Sequence, residues 1–368
     1  MARSTIATRL ALGVLAGLLT ISPALCADWQ DGAGEAWKKV LDAGRKEGKV
    51  VVGGRPELGR PMTEGFKRDT GITLDFLGGE SRDISSRLDR EVRSGNVTID
   101  FVLGGAGDIA LANQGKLVPL KPQLLLTGVT EGKNWIDGKL KWVDKAETYM
   151  LIGGEYIHSW PAFNTSLVPL AEVTTWKDLL KPQFKGKIAA YDPRSGGPGQ
   201  ATAAYLVHLH GEDFLRQLYL GQNVTFTRNG PQLAEWAVRG SHPIILGALT
   251  TDIEKFKAAG ITNLAVGAMT DGPGALLGGS SVIIQPVGSP HPTAATVFLN
   301  WYASKPGQDA YSATWKTPSR RTDVSFPTIP DYTIPKPGTV YLDQYQEDWY
   351  VIARPKLQKS ITEVLGGP

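Results

Sequence analysis

The sequence predicts an α/β protein with two lobes, each built on a doubly wound sheet. Short apolar segments that suit buried strands alternate with amphipathic helical segments, and this alternation begins again near residue 175. The chain has 368 residues, of which 42% are hydrophobic, and it is therefore longer than one ordinary core requires. These observations favour two α/β lobes in one chain.

The first half contains three predicted strands, each followed by a helix. In the helix that begins near Ser81, Ile84, Leu88 and Val92 recur at the spacing that places them on one face. We expect strands at residues 49–53, 72–76 and 99–103, helices at 59–69 and 81–94, and a short helix through Ile109 and Leu111. Strands that alternate with helices in this way form parallel sheets.

The second half repeats the pattern. Thr175 is placed to cap a helix that contains Trp176, and residues 293–303 form a strongly amphipathic helix. We expect strands at residues 187–191, 224–227, 243–249, 264–268 and 281–285, and a helix that starts near Pro198. The residues past Pro318 are rich in Pro, Tyr and Asp, which predicts a loop with one or two late helices.

Residues 1–27 have the layout of a secretory signal peptide. Two arginines precede an apolar run at residues 10–21, which is too short to span a membrane, and small residues follow up to Ala27. We expect cleavage near Ala27 and a periplasmic location. An uncleaved anchor is the alternative, and Leu25 before the single cysteine, Cys26, disfavours lipid attachment. The mature chain would then hold no disulfide and no thiolate site.

Composition and motifs argue against several classes of function. Basic and acidic residues nearly balance, at 39 and 36, so there is no basic footprint of the kind that nucleic-acid binding requires. The five histidines are scattered, which predicts no metal site and no cofactor. The sequence contains no G-x-S-x-G elbow, P-loop or S-x-x-K motif, and it is therefore not expected to be an enzyme, although an unrecognised hydrolase stays an alternative.

Loops at the ends of the predicted strands are the natural place for a ligand. In open α/β sheets, ligands sit beyond the carboxyl ends of the strands and near helix N-termini. The loops concerned are residues 53–55, 78–82, 104–106 and 192–197, and all of them are rich in glycine, serine or arginine.

At these loops the chain resembles the extracellular solute-binding proteins of ABC importers, in the branch of ferric-ion, thiamine and phosphonate receptors. The segments KVVVGG, TIDFVLGGAGDIALANQGKLVPL and AFNTSLVPLAEVTTWKDLLKPQFKGKIAAYDPRSGGPG carry the likeness, followed by SPHPTAATVFLNWYASKPGQDAYS and TPSRRTDV. Each motif is modest, but their order and spacing match over nearly the whole mature chain.

The resemblance implies a periplasmic binding protein of the type 2 fold, with two lobes that close about a hinge. It also implies discontinuous lobes, the first from residues 28–155 with 279–318 and the second from 156–278 with 319–368. The implied partners are a small-molecule ligand, an ABC permease and its ATPase subunit. We expect a monomer that contacts the membrane only through the permease. A chemosensory receptor would use the same fold and stays an alternative.

The candidate ligand contacts combine anion donors with aromatic side chains. Arginine suits carboxylate or phosphonate, although each arginine could instead form an ion pair within its lobe. Glycine and serine before a helix could hold an anion or simply form the helix cap, and the tyrosines could stack on a ligand or pack the hinge. The candidates are Arg55, Glu80, Ser81, Arg82, Gly105, Tyr156, Tyr191, Ser195, Gly196, Gly197, Arg228, Thr250, Thr251 and Arg320.

Ferric iron is the alternative ligand that the resemblance suggests. Iron-binding relatives often carry two adjacent tyrosines in the strand-to-helix loop of the second lobe. The matching loop here, residues 247–252, carries Thr250 and Thr251 instead, which could bind a ligand or cap the following helix. We therefore predict a receptor that captures a small anionic solute, of carboxylate or phosphonate type, between its lobes.

Overall fold

The computed structural model describes residues 29–195 and 197–367. The helices are α1 (Glu35–Glu47), α2 (Pro56–Thr70), α3 (Ser81–Ser94), α4 (Ile109–Asn113), α5 (Thr127–Thr130), α6 (Gly197–Arg216), α7 (Gly230–Arg239), α8 (Thr250–Ala258), α9 (Pro292–Ala303), α10 (Lys305–Trp315) and α11 (Arg354–Leu365). The strands are β1 (Lys49–Gly54), β2 (Thr73–Gly78), β3 (Phe101–Gly104), β4 (Lys141–Trp142), β5 (Leu151–Ile152), β6 (Tyr156–His158), β7 (Ala162–Asn164), β8 (Ile188–Tyr191), β9 (Thr225–Thr227), β10 (Ile244–Leu246), β11 (Leu264–Val266), β12 (Ala275–Leu277), β13 (Val282–Ile284) and β14 (Leu342–Asp343). The predicted signal peptide lies outside the described residues.

The first lobe is built on a six-stranded sheet in the order β2-β1-β3-β13-β5-β4. Strands β2, β1 and β3 are parallel, as predicted, whereas β13, β5 and β4 pair antiparallel. The antiparallel half exists because β13 enters from the second lobe instead of following a helix on the sheet. The sheet is therefore mixed, and only its first half follows the predicted parallel pattern.

The second lobe is built on a five-stranded sheet in the order β11-β7-β10-β8-β9. Strands β8, β9 and β10 are parallel, and β7 is antiparallel to both of its neighbours. The carboxyl ends of the parallel strands therefore meet at one edge in each lobe. The predicted α/β class with two lobes is confirmed.

A third sheet, β14-β12-β6, forms where the chain passes between the lobes. Along the chain, β6 comes between β5 of the first lobe and β7 of the second, and β12 comes between β11 of the second lobe and β13 of the first. Strand β14 leads to α11, which packs against α6 of the second lobe. Three crossings thus share one small sheet. The exact lobe boundaries expected from the sequence stay a prediction.

Buried ion pairs connect the first crossing, which contains β6, with the third crossing, which contains β14. Glu155 accepts hydrogen bonds from Lys141 and Arg320, and Lys141 also pairs with Asp343 at 2.7 Å. The side chains of Glu155 and Arg320 are only 3% and 4% exposed. Because a buried charge is costly without a partner, this network holds the crossings in register.

Aromatic residues of the late helices fill the core of the first lobe. Phe298 and Trp301 on α9 each contact Phe66 on α2, with ring centroids 5.3 and 5.4 Å apart and edge-to-face geometry. Burial of each such side chain stabilises the fold by roughly 1.5–3 kcal/mol. The core therefore ties residues near 300 to the amino-terminal part of the first lobe.

In the second lobe, the predicted helices near Thr175 and Pro198 are present, but they begin or end at slightly different residues than predicted. Thr175 caps a short 3₁₀ helix at Trp176–Leu180 through a capping box with Asp178. Helix α6 begins at Gly197, one residue before the predicted start. Past Pro318, the chain adds β14 to the expected late helix, and one π-helical turn at Trp349–Ala353 leads into α11.

Candidate functional site

A cavity of about 410 Å³ lies where the strand ends of both lobes face each other. Both lobes and the crossing sheet contribute to its lining, which includes residues from the carboxyl-terminal tail. The lining consists of Arg55, Ser81, Gly105, Tyr156, His158, Gly197, Pro198, Gln200, Ala201, Ala204, Leu249, Leu277, Gly279, Ser280, Trp315, Gln344, Tyr345, Trp349, Tyr350 and Arg354. Among these described residues there are two arginines and no carboxylate.

The first lobe presents three strand-end loops to the cavity. Arg55 directly follows β1 and is the N-cap residue of α2, and Gly105 directly follows β3. Ser81 is the first residue of α3, whose N-cap residue is Glu80. Because β1, β2 and β3 are parallel, these loops lie at the same sheet edge, as the sequence pattern predicts.

Acidic residues and one aromatic ring fix the side chain of Arg55. Its guanidinium donates a hydrogen bond to Glu80, lies 3.6 Å from a carboxylate oxygen of Glu57, and sits over the ring of Trp315 at 5.4 Å. Glu80 does not line the cavity and is mostly exposed. Its described role is therefore to hold and partly neutralise Arg55.

The crossing strand β6 places two ionisable rings in the cavity wall. Burial raises the pKa of Tyr156 to about 12, with a smaller contribution from Tyr350. Burial also lowers the pKa of His158 to about 4, and its Nδ1 lies 3.1 Å from Ser159 Oγ. Both rings are therefore uncharged at neutral pH.

The start of α6 forms the wall that belongs to the second lobe. Gly199 packs so closely on β8 that an added Cβ would lie 2.2 Å from the Tyr191 carbonyl oxygen. Gly247 has a φ of 73° and approaches Gly199 from the end of β10. These glycines let the helix N-terminus approach the sheet edge beside the cavity.

Side chains of the tail complete the wall. The Tyr345 hydroxyl donates to the Gly279 carbonyl at 3.0 Å, and the Tyr345 and Tyr350 rings meet edge to face at 6.0 Å. Arg354 lies over the Tyr350 ring at 4.9 Å and donates to Gln200 Oε1 at 2.7 Å. Burial raises the pKa of both tyrosines, so their phenols are neutral.

A smaller cavity of about 180 Å³ adjoins the first and shares Arg55, Tyr156 and Trp315 with it. Thr250 and Thr251 line this second cavity. They are the first two residues of α8, whose N-cap is Leu249, so neither threonine is the cap. The alternative that these threonines cap the helix is therefore wrong, because both lie inside its first turn.

The family model for bacterial extracellular solute-binding proteins matches residues 62–333. The chain belongs to this family. It is a solute-binding protein of the type that serves ABC importers, which confirms the resemblance drawn from the sequence. Within the residues that the structure describes, no helix has both the length and the apolar character needed to cross a membrane.

Solved structures of binding proteins share the fold of this solute-binding protein. The Trichodesmium protein IdiA (FutA), in complex with iron and citrate, matches with a TM-score of 0.67 and 17% identity, over 86% of this chain and 99% of that one. AfuA from Actinobacillus pleuropneumoniae, with fructose-6-phosphate bound, has a TM-score of 0.64 and 19% identity, over 87% and 99%. A periplasmic thiamin binding protein has a TM-score of 0.63 and 16% identity, over 86% and 95%.

A curated sequence relative adds little about the ligand. An uncharacterised Haemophilus influenzae protein is 34% identical over 140 residues, which are 36% of this chain and 38% of that protein. The match thus spans little more than a third of the relative's length. The three structural neighbours are described with iron, a sugar phosphate and thiamin, so the shared fold does not select one solute.

Half of the candidate contacts of this solute-binding protein line the two cavities. These are Arg55, Ser81, Gly105, Tyr156 and Gly197 in the larger cavity, with Thr250 and Thr251 in the smaller one. Gly196 and the side chain of Arg82 lie outside the described residues. The candidates that line neither cavity are Glu80, Tyr191, Ser195, Arg228 and Arg320.

Besides Arg55, the candidate arginines Arg228 and Arg320 also form ion pairs within the protein. Arg228 pairs with Asp192 at 3.2 Å, and Arg194 makes a two-point contact with the same carboxylate. Burial tends to raise the pKa of Asp192, but these hydrogen bonds lower it below its usual value. Arg320 is corrected from a ligand contact to a buried partner of Glu155, because its side chain faces the crossing network.

The candidate contacts drawn from the sequence do not include the cavity residues of the carboxyl-terminal tail. Arg354, Tyr345 and Tyr350 sit in a segment whose composition indicates only a loop and a late helix. The aromatic run DQYQEDWYVIARP was the available signal, since such clusters of Tyr and Trp often contact ligands or partners. Its place in the cavity depends on the third crossing, which periodicity does not reveal.

Proposed function

We propose that this protein is the periplasmic receptor of an ABC importer for a small organic anion of carboxylate or phosphonate type. The observation that carries the proposal is the charge of the larger cavity. Its described lining holds Arg55 and Arg354 but no aspartate or glutamate. A hydrogen bond that involves a charged group contributes about 1.5–3 kcal/mol, so an anion gains from such a lining and a cation does not.

Closure around the ligand follows from where these groups lie. Ser81 and Arg55 belong to strand ends of the first lobe, whereas Gln200 and Arg354 lie on helices that pack together in the second. A solute that contacts both sets favours the closed arrangement, because a ligand shifts an equilibrium only through contacts that differ between the states. The closed form would then dock on the permease, whose ATPase subunit supplies the energy.

Ferric iron is a second candidate cargo, favoured by three tyrosines and one histidine in the same wall. Tyr156, Tyr345 and Tyr350 are neutral phenols with raised pKa values, and Tyr345 already donates to a carbonyl. No group of three or more His, Cys, Asp and Glu that could hold a metal occurs among the described residues. A hard Fe(III) ion would have to displace three phenolic protons beside Arg354, so the anion is preferred.

Thermal unfolding of the purified protein tests the proposal. We expect phosphonate or carboxylate anions to raise the melting temperature, because a ligand at 100 times its Kd stabilises the folded state by about 2.7 kcal/mol. The ligand should be recovered chemically unchanged, as from a receptor and not an enzyme. Stabilisation by Fe(III) alone, with none by organic or phosphorus-containing anions, would show that the proposal is wrong.

A further inference from the structure

Arg354 has different partners from the other arginines near the cleft whose side chains the structure describes. Four of those arginines each pair with an aspartate or glutamate, namely Arg55, Arg194, Arg228 and Arg320. In the described part of the chain, no carboxylate pairs with Arg354, which instead contacts the neutral amide of Gln200 and the ring of Tyr350. Within the described residues, its positive charge is therefore not offset by an ion pair.

A neutral scaffold holds this charge in place. Gln200 is buried, and its amide nitrogen donates to Gln358 Oε1 on α11, which directs its oxygen towards Arg354 Nη2. The face of the Tyr350 ring restrains the guanidinium plane from one side. An arginine that is positioned without being neutralised keeps both its donors and its charge for an oxyanion.

The other lining residues limit what kind of molecule can carry the anionic group. Asp, Glu, Asn and Gln are the planar side chains that can pair with the several hydroxyls of a sugar, and the described lining holds only two of them, Gln200 and Gln344. Both already bond within the protein, Gln200 to Gln358 and Arg354, and Gln344 to the Ala201 carbonyl. Half-buried Tyr156, Trp315 and Tyr350 also line the cavity, with aliphatic Leu249 and Leu277. Aromatic surface of this kind favours a flat, apolar ring over a polyhydroxylated chain.

We infer that Arg354 is the anion-recognising residue of the cleft and that the solute is a ring-bearing organic oxyanion. Its charged group lies on Arg354 and its ring lies against the aromatic wall. This inference rests on the proposed function and narrows it to a substrate class. The volume of about 410 Å³ suits one ring with a short charged substituent.

Two probes that share a charged group test the ring directly. Phenylphosphonate and methylphosphonate carry the same oxyanion and differ only in the apolar body. Titration calorimetry of the full protein should give at least tenfold tighter binding of phenylphosphonate. Equal affinities would overturn the inference and leave the proposed anion receptor standing. If neither phosphonate binds while Fe(III) does, the inference and the proposed function both fail.

Variants test the assignment of the two subsites. R354Q should weaken both phosphonates at least tenfold, and R354K should recover part of the loss. W315L should weaken phenylphosphonate more than methylphosphonate, because it removes ring surface and no charge. R60Q, at an exposed arginine that pairs with Glu64 on α2, is the matched control and should bind like the unmodified protein. Circular dichroism verifies that each variant is folded.

Unchanged binding of both phosphonates by folded R354Q would overturn the role of Arg354. An equal loss of both phosphonates in W315L would overturn the placement of the ring.

Discussion

The ion pairs at the lobe crossings permit a quantitative prediction for E155Q. Glu155 accepts hydrogen bonds from Arg320 and Lys141, and the substitution leaves both cations without this carboxylate. Arg320 is only 4% exposed, so water cannot replace the lost partner, and Asp137 at 3.3 Å is the remaining acid near it. Removal of one member of a buried pair typically destabilises by about 3–5 kcal/mol.

The loss of unfolding free energy should appear as an unfolding transition at lower urea concentration, with tryptophan fluorescence as the readout. In a chain of this length, a loss of this size corresponds to a melting temperature that is lower by roughly 4–7 °C. The matched control is E35Q, which removes an exposed i,i+3 pair with Lys38 and should change stability by less than about 0.5 kcal/mol. If E155Q lowers the unfolding free energy by no more than E35Q, the crossings are not held by this network.

Two further predictions concern residues that flank the cavity. Gly199→Ala should destabilise by roughly 1–3 kcal/mol, because its Cβ would lie 2.2 Å from the Tyr191 carbonyl oxygen, whereas Gly105→Ala places Cβ 3.4 Å from the Tyr345 hydroxyl and should be tolerated; equal urea midpoints would contradict this. Burial raises the pKa of Asp108 to about 6, so the folded protein retains a proton between pH 4 and 6 that the unfolded chain has lost, and this contribution to stability falls as pH rises. Asp108→Asn should therefore gain about 2–3 kcal/mol relative to the unmodified protein between pH 4 and 7, and parallel pH profiles would refute it.

The parts of the site that depend on local sequence could be predicted. Arg55, Ser81 and Gly105 each follow a strand of the parallel half-sheet, and strand-to-helix alternation places such loops at one edge. The same reasoning placed Gly197 in the loop before a helix expected near Pro198, and α6 begins at Gly197. The position of each of these residues in the fold depends only on neighbouring residues, which is why the sequence indicates it; that they bind a ligand stays a prediction.

Long-range pairing could not be predicted in the same way. Arg320 bonds to Glu155, which is 165 residues away in the sequence, and Arg354 bonds to Gln200, which is 154 residues away. No local pattern therefore shows which arginine is paired with a carboxylate. The crossing strands have two or three residues each, too few for a periodicity to be visible. As a result, the candidates drawn from the sequence include Arg320, which is paired with Glu155, and do not include Arg354, which lines the cavity.

A crystal structure of the protein with phenylphosphonate bound would show whether Arg354 receives the anion. We expect the phosphonate oxygens within hydrogen-bond distance of Arg354, the ring against Tyr156 or Trp315, and contacts from both lobes. A ligand held outside this cavity, or an Fe(III) ion coordinated by Tyr156, Tyr345 and Tyr350 in place of an organic anion, would contradict this expectation.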